Sequence, residues 1–129
     1  MILETSALVA ILVGEPQRAQ LLKALVEADR VRLSAASYLE SAVVVDRLGD
    51  PVLSRHLDTL LEELRVEIVP VDLEQARTAR GAYRDFGKGS GHPAGLNVGD
   101  CFSYALARRT NDVLLYVGDD FGHTDVRRA

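Results

Sequence analysis

The chain has 129 residues, 47% of them hydrophobic, and a formal net charge of -4. That length suits one hydrophobic core rather than two domains. The acidic balance gives no whole-molecule attraction for phosphate backbones, which argues against a protein that coats nucleic acid nonspecifically. The single Cys101 cannot close a disulfide within the chain, and no Cys/His cluster has zinc spacing, so a reducing, cytoplasmic setting is expected.

In chain order, Ile2-Leu3 reads as a strand and Ser6 to Val13 as a helix. That apolar run lacks a basic leader and is far shorter than the roughly 20 residues of a membrane span, so no leader and no membrane segment are expected. Gly14-Glu15-Pro16 is a break. Gln17 to Ala28 is a second helix with Leu21, Leu22, Leu25 and Val26 inward, and Val31-Arg32-Leu33 returns to a sheet. Ser37 to Leu48 is helical and stops at Gly49. Pro51 to Arg65 carries Leu57, Leu60, Leu61 and Leu64 at the spacing of one helix face. Val66 to Val71 alternates as a strand, Leu73 to Phe86 is helical, a glycine-rich loop leads to a helix over Asp100 to Arg109, and Val113 to Val117 closes the sheet. Strands alternating with helices predict an α/β fold with a mainly parallel sheet. The loop GKGSGHPAGLNVG follows a helix and lacks a Gly-Lys-Ser/Thr ending, so it reads as an active-site rim rather than a phosphate-cradling P-loop.

Several acids fit poorly with an ordinary core. Ligands of open parallel sheets bind beyond the carboxyl ends of the strands. Glu4 follows Ile2-Leu3 at such an end, and Asp119 and Asp120 follow the last strand in the same way. Asp100 after Gly99 looks like a helix N-cap, and Glu4 before Thr5 and Ser6 has a capping reading too. Glu40 lies one turn from Ala36, Val43 and Val44, a face expected to point inward, where a lone carboxylate requires a proton, a cation or an ion pair such as one to Arg47. Carboxylates gathered at one sheet edge repel one another, and hard oxygen ligands suit Mg2+ or Mn2+. Metal-assisted phosphodiester hydrolysis is the chemistry such a cluster supports.

The segments MILETSALVAIL, SYLE, GHPAGLNVGDCFSYALA and LLYVGDDFGHTD, in this order, resemble the PIN-domain ribonucleases, specifically the VapC-type toxins of bacterial toxin-antitoxin pairs. The resemblance runs from residue 2 to residue 125. It implies a single three-layer α/β/α PIN domain over residues 1–129 with a mainly parallel central sheet, and Mg2+- or Mn2+-dependent endonucleolytic cleavage of RNA. Carried onto this chain, the catalytic acids are Glu4, Glu40, Asp100 and Asp119. Metal ligation is implied for Glu4, Asp100, Asp119 and Asp120, the double Asp leaving both open as the fourth acid. Thr5 and Ser6 would organise the first carboxylate, and Asn97 the loop or a neighbouring ligand. The resemblance also implies a VapB-like antitoxin and a toxin homodimer. The leucine-rich faces of the second and fourth helices are read as surface for such partners.

Glu4 departs from the family's first-strand Asp by one methylene. A displacement of about 1 Å is enough to cost about a hundredfold in rate, so a PIN-like RNA- or antitoxin-binding module with weak cleavage is the competing reading. Arg80, Arg84, Lys88 and His92 are RNA-contact candidates around the rim, with His123 near the site. A phosphoacceptor receiver domain, similar in its sheet-edge acids, is disfavoured because Lys23 and Lys88, the only lysines, fall in a helix and a loop rather than at a strand end.

Overall fold

The computed structural model describes residues 1–129. Its elements are β1 (Ile2–Leu3), α1 (Thr5–Val13), α2 (Arg18–Glu27), β2 (Arg32–Ser34), α3 (Ala35–Asp46), α4 (Pro51–Glu63), β3 (Glu67–Val69), α5 (Leu73–Phe86), α6 (Val98–Thr110) and β4 (Leu114–Leu115), followed by a 3-10 turn at Asp120–His123. All strand pairs are parallel, in the order β3-β2-β1-β4. Chain order runs from β1 through β2 to β3 on one side and then crosses to β4 on the other. The topological switch point therefore lies between β1 and β4.

Alternating strand residues face opposite layers, as a two-residue period requires. Leu3, Leu33 and Leu115 join one core with α1 to α4, while Ile2 and Leu114 join a second core with α5 and α6. This is the expected three-layer α/β/α arrangement. No helix is long and apolar enough to cross a membrane.

Local chemistry explains the boundaries. Gly14, at φ 77°, ends α1 in a left-handed conformation that a side chain would strain. Asp50 caps α4 through the Val52 amide at 2.9 Å, with Pro51 in the first turn. Asp72 caps α5 through the Gln75 amide at 2.7 Å. Helix α3 starts at Ala35, earlier than its periodicity suggests, because Ser34 caps it. Strand β3 is shorter than Val66 to Val71 and exposed, as befits a sheet edge.

Two expectations about helix faces are corrected. Leu21, Leu25, Leu57, Leu60 and Leu61 are buried within the first core, so these faces are consumed by folding rather than left for a partner. In α3 the buried residues are Ser37, Ser41 and Val45, whereas Val43 and Val44 are exposed, so the Glu40 side of the helix is not an apolar core face. Arg47 makes no ion pair with Glu40.

Candidate active site

The carboxyl end of β1 passes directly into α1, and Glu4 stands at the junction with extended backbone as the helix N-cap. Its Oε2 accepts the Ser6 amide at 2.6 Å and also the Ser6 hydroxyl. The capping and site readings of Glu4 are therefore compatible, because Ser6 occupies one carboxylate oxygen while Oε1 accepts no protein hydrogen bond. Ser6 Oγ in turn accepts the Val117 amide at 2.9 Å. This hydroxyl ties the β1–α1 junction to the end of β4, from which Gly118-Asp119-Asp120 departs. Thr5 plays no such part: its buried Oγ1 has no hydrogen-bond partner.

Glu4 is 2% exposed. Burial pushes its carboxyl up to about 7, against the two Ser6 hydrogen bonds and with added repulsion from Asp100 and Glu40. Burial likewise raises Asp100 to about 6; a hydrogen bond from the Asn97 amide opposes the shift, and Glu40 and Asp120 reinforce it. The acids thus act on one another as a like-charged group with no cation among them, so a divalent ion would relieve both burial and repulsion.

Asp100 is not the N-cap of α6 expected from its place after Gly99. Asn97 is the cap, and Asp100 is the third helical residue of a reciprocal capping box: Asn97 Oδ1 accepts the Asp100 amide at 2.8 Å, and Asp100 Oδ2 accepts the Asn97 amide at 2.8 Å. Asn97 thereby ties the Asp100 side chain and backbone to the start of α6. Glu40 reaches this same turn, with its carboxylate against Gly99.

Of the double Asp, Asp120 is the member whose charge acts on Asp100. Asp119 lines an adjoining groove of about 260 Å³ with Gln17, Leu21, Tyr116 and Arg128. No three acidic, histidine or cysteine side chains converge closely enough, as they stand, to enclose a metal ion. The donor set nevertheless fits a hard cation, being all carboxylate oxygen, partly buried and mutually repulsive. Cys101 adds no ligand, since it is buried and burial pushes its thiol up to about 11.

The rim residues divide. Arg84 pairs with Asp85 at 3.0 Å, whereas Arg80 and Lys88 are exposed and form no ion pair. His92 is committed to the loop, its Nδ1 accepting the Ala94 amide at 3.1 Å and its ring meeting Phe86 edge-on. His123 is exposed in the 3-10 turn. Sequence reasoning overlooked Ser37 and Ser103, whose hydroxyls lie 2.9 Å apart in the buried seam between α3 and α6. The available signal was a serine on each helix, one turn from an acidic site segment.

The PIN-domain family profile matches residues 1–127. This chain belongs to the PIN-domain family. It is 58% identical to Ribonuclease VapC28 of Mycobacterium tuberculosis over 129 residues, covering 100% of this chain and 97% of that protein. It is 49% identical to Ribonuclease VapC42 of the same organism, covering 100% and 98%. Among solved structures, a crystal structure of Mycobacterium tuberculosis VapC20, described as a sarcin-ricin loop cleaving toxin, superposes with a TM-score of 0.78 at 13% identity, covering 99% of this chain and 97% of that one. FitAcB from Neisseria gonorrhoeae gives a TM-score of 0.71 at 22% identity, covering 99% and 96%. At such identities these structural likenesses speak for the fold of this PIN domain, and the two ribonucleases carry the finer kinship.

Proposed function

We propose that this PIN domain is the endoribonuclease toxin of a VapBC-type toxin-antitoxin pair, hydrolysing RNA phosphodiester bonds with Mg2+ or Mn2+. The observation that carries the reading is the buried Glu4 carboxyl at the switch point, raised to about 7 and facing Asp100 and Glu40 with no protein cation to relieve it. Glu4 and Asp100 would hold the ion, with Asp120 favoured over Asp119 as the acid from the last loop because its charge acts on Asp100. Glu40 completes the negative group from α3. When bound, a divalent ion lowers the pKa of a water and polarises the phosphorus centre.

The protein side chains have their own tasks. Ser6 fixes Glu4 Oε2 and leaves Oε1, which accepts no protein hydrogen bond, as the oxygen that would hold the ion. The capping box holds Asp100 in one rotamer, so little ordering is left for the moment of reaction. Arg80 and Lys88, free of ion pairs, would contact phosphates of the bound strand, with Arg84 available once released from Asp85. Kinship with the VapC ribonucleases supports a VapB-like antitoxin as partner. A toxin homodimer would draw on exposed apolar residues such as Leu39, Val43 and Leu48 of α3 and its C-terminal end.

The deciding experiment is cleavage of a structured RNA by the purified chain with Mg2+ or Mn2+. Product should form with metal, stop in EDTA and return when metal is restored; equal cleavage in chelator would overturn the metal mechanism. The second reading, a binding module that cuts weakly, is favoured by the curl of Glu4 back onto Ser6, which spends its extra methylene on capping. Saturable RNA or antitoxin binding without turnover at saturating metal would select it.

A further inference from the structure

We infer that Gly99 is a positioning residue for Glu40, the absent side chain at the second residue of α6 being the space in which the Glu40 carboxylate rests. A Cβ built on Gly99 would fall 2.6 Å from Glu40 Cδ and 2.9 Å from Oε1, with Oε2 closer still. The glycine is not required by the backbone, because Gly99 is absent from the positive-φ residues. Glycine is also a poorer helix former than alanine. What it provides is clearance for a side chain from another helix.

The packing of α3 on α6 creates this contact. Ser34, Ser37, Ser41 and Ser103 are buried to 1% exposure or less, and small side chains let helices approach closely. Ser37 and Ser103 join hydroxyls at 2.9 Å across the seam. Glu40 lies one turn along α3 from Ser37, and Gly99 lies one turn back along α6 from Ser103, so the two meet beside this pivot. Gly99 also immediately precedes Asp100 in the capping-box turn. The clearance thus brings the α3 acid to the α6 acid, and the Glu40 charge acts on Asp100.

The obstacle a methyl group would meet is the free end of a flexible side chain, not backbone. Gly99→Ala should therefore fold normally, with a melting temperature in chelator equal to or above that of the parent, while Glu40 is turned away from Asp100. This inference rests on the ribonuclease reading for its activity arm. Cleavage should fall at least about tenfold, and Mn2+ affinity measured by calorimetry without RNA should weaken. In a Glu40→Gln background, Gly99→Ala should cause no further loss, because the group it displaces is already neutral. Adding Glu40→Asp to Gly99→Ala should restore part of the activity, since the shorter acid withdraws from the new methyl. Parent-like cleavage by Gly99→Ala, a full additional loss in the Glu40→Gln background, or a melting temperature that drops in step with activity would each overturn the inference. If the parent chain itself neither binds Mn2+ nor cleaves RNA, the ribonuclease reading fails. Gly99 is then judged on the Glu40 side-chain carboxyl carbon signal in NMR, assigned through Glu40→Gln: a shift in Gly99→Ala and none in Val98→Ala supports the inference, and an unshifted signal rejects it.

Discussion

At the amino ends of the strands, Asp112 accepts the Met1 ammonium at 2.6 Å and Arg32 at 3.2 Å, and Arg32 and Arg30 continue to Glu67. Both carboxylates of this network face cations. At the carboxyl ends of the same strands, Glu4 feels the charges of Asp100 and Glu40, and Asp100 those of Glu40 and Asp120, with no Lys or Arg in an ion pair to any of the four. Asp112 shows what pairing does: burial alone would raise its carboxyl, yet the ammonium, the Val113 amide and Arg32 hold it below the ordinary range. Glu4 shows the opposite, because its only relief comes from Ser6. One edge uses charge to hold the sheet together, and the other keeps charge uncompensated in the native chain, the arrangement expected of a functional site rather than a structural one.

The largest expected break in this contrast is Asp100→Asn. An amide at this position still accepts the Asn97 amide, so the capping box survives and the melting temperature in chelator should change by no more than about 2 °C. Cleavage should fall at least about a hundredfold, as a neutral oxygen gives a cation far less. RNA cleavage assays beside thermal melts separate the two, and parallel losses of stability and activity would make Asp100 a cap alone. Glu4→Asp is the next largest. The shorter acid remains a good N-cap but withdraws toward the family's usual position, so cleavage should rise by up to about tenfold with stability nearly unchanged. Equal rates for the parent and the Glu4→Asp variant would remove any penalty from the extra methylene.

Asp112→Asn tests the opposite edge. It leaves the Met1 ammonium and Arg32 without their shared carboxylate, and the partly buried network should lose about 1–2 kcal/mol, a fall of about 3–8 °C in melting temperature. Cleavage per folded molecule at 25 °C should stay at the parent level. A loss of activity without a loss of stability would mean the two edges are coupled through the sheet.

Much of this contrast is legible in the sequence alone. Hydrophobic periodicity locates each strand and helix because every element buries one face in one of two cores, and acids just past the ends of parallel strands point to the carboxyl edge. Sequence patterning falters where burial depends on a neighbour's shape. Serine looks polar in sequence, so periodicity assigns the buried side of α3 to Val43 and Val44, whereas Ser37 and Ser41 occupy it. Gly99 looks like a residue before a cap, since nothing within one helix reveals that a carboxylate from another fills its missing side chain. Likewise, only the path of the chain after Gly118 makes Asp120, rather than Asp119, the acid whose charge acts on Asp100.

The most direct comparison of the edges is their response to pH, because folding shifts their carboxyl groups in opposite directions. Glu4 rises from its usual 4.5 to about 7 on folding, and Asp100 from 3.8 to about 6. Between the unfolded and folded values the native chain holds more protons than the unfolded one, so stability falls as pH rises, and the penalty is complete above about 7. In chelator the melting temperature should therefore drop progressively between pH 5 and pH 8. Asp112 runs the other way: its carboxylate is ionised throughout this window, and its contribution is lost only in acid, as pH falls through its depressed value. Glu4→Gln should flatten the decline and leave the acid limb in place, whereas Asp112→Asn should weaken the acid limb and leave the decline. Mn2+ should cancel the decline at pH 8 in the parent, because a bound cation replaces the protons that burial favours. Melts of the three proteins across pH with and without Mn2+ decide the matter. A parent curve that rises steadily from pH 5 to pH 8 in chelator would show that the carboxyl edge is not held protonated by burial, and the uncompensated charge assigned to it would then have to be relieved within the protein itself.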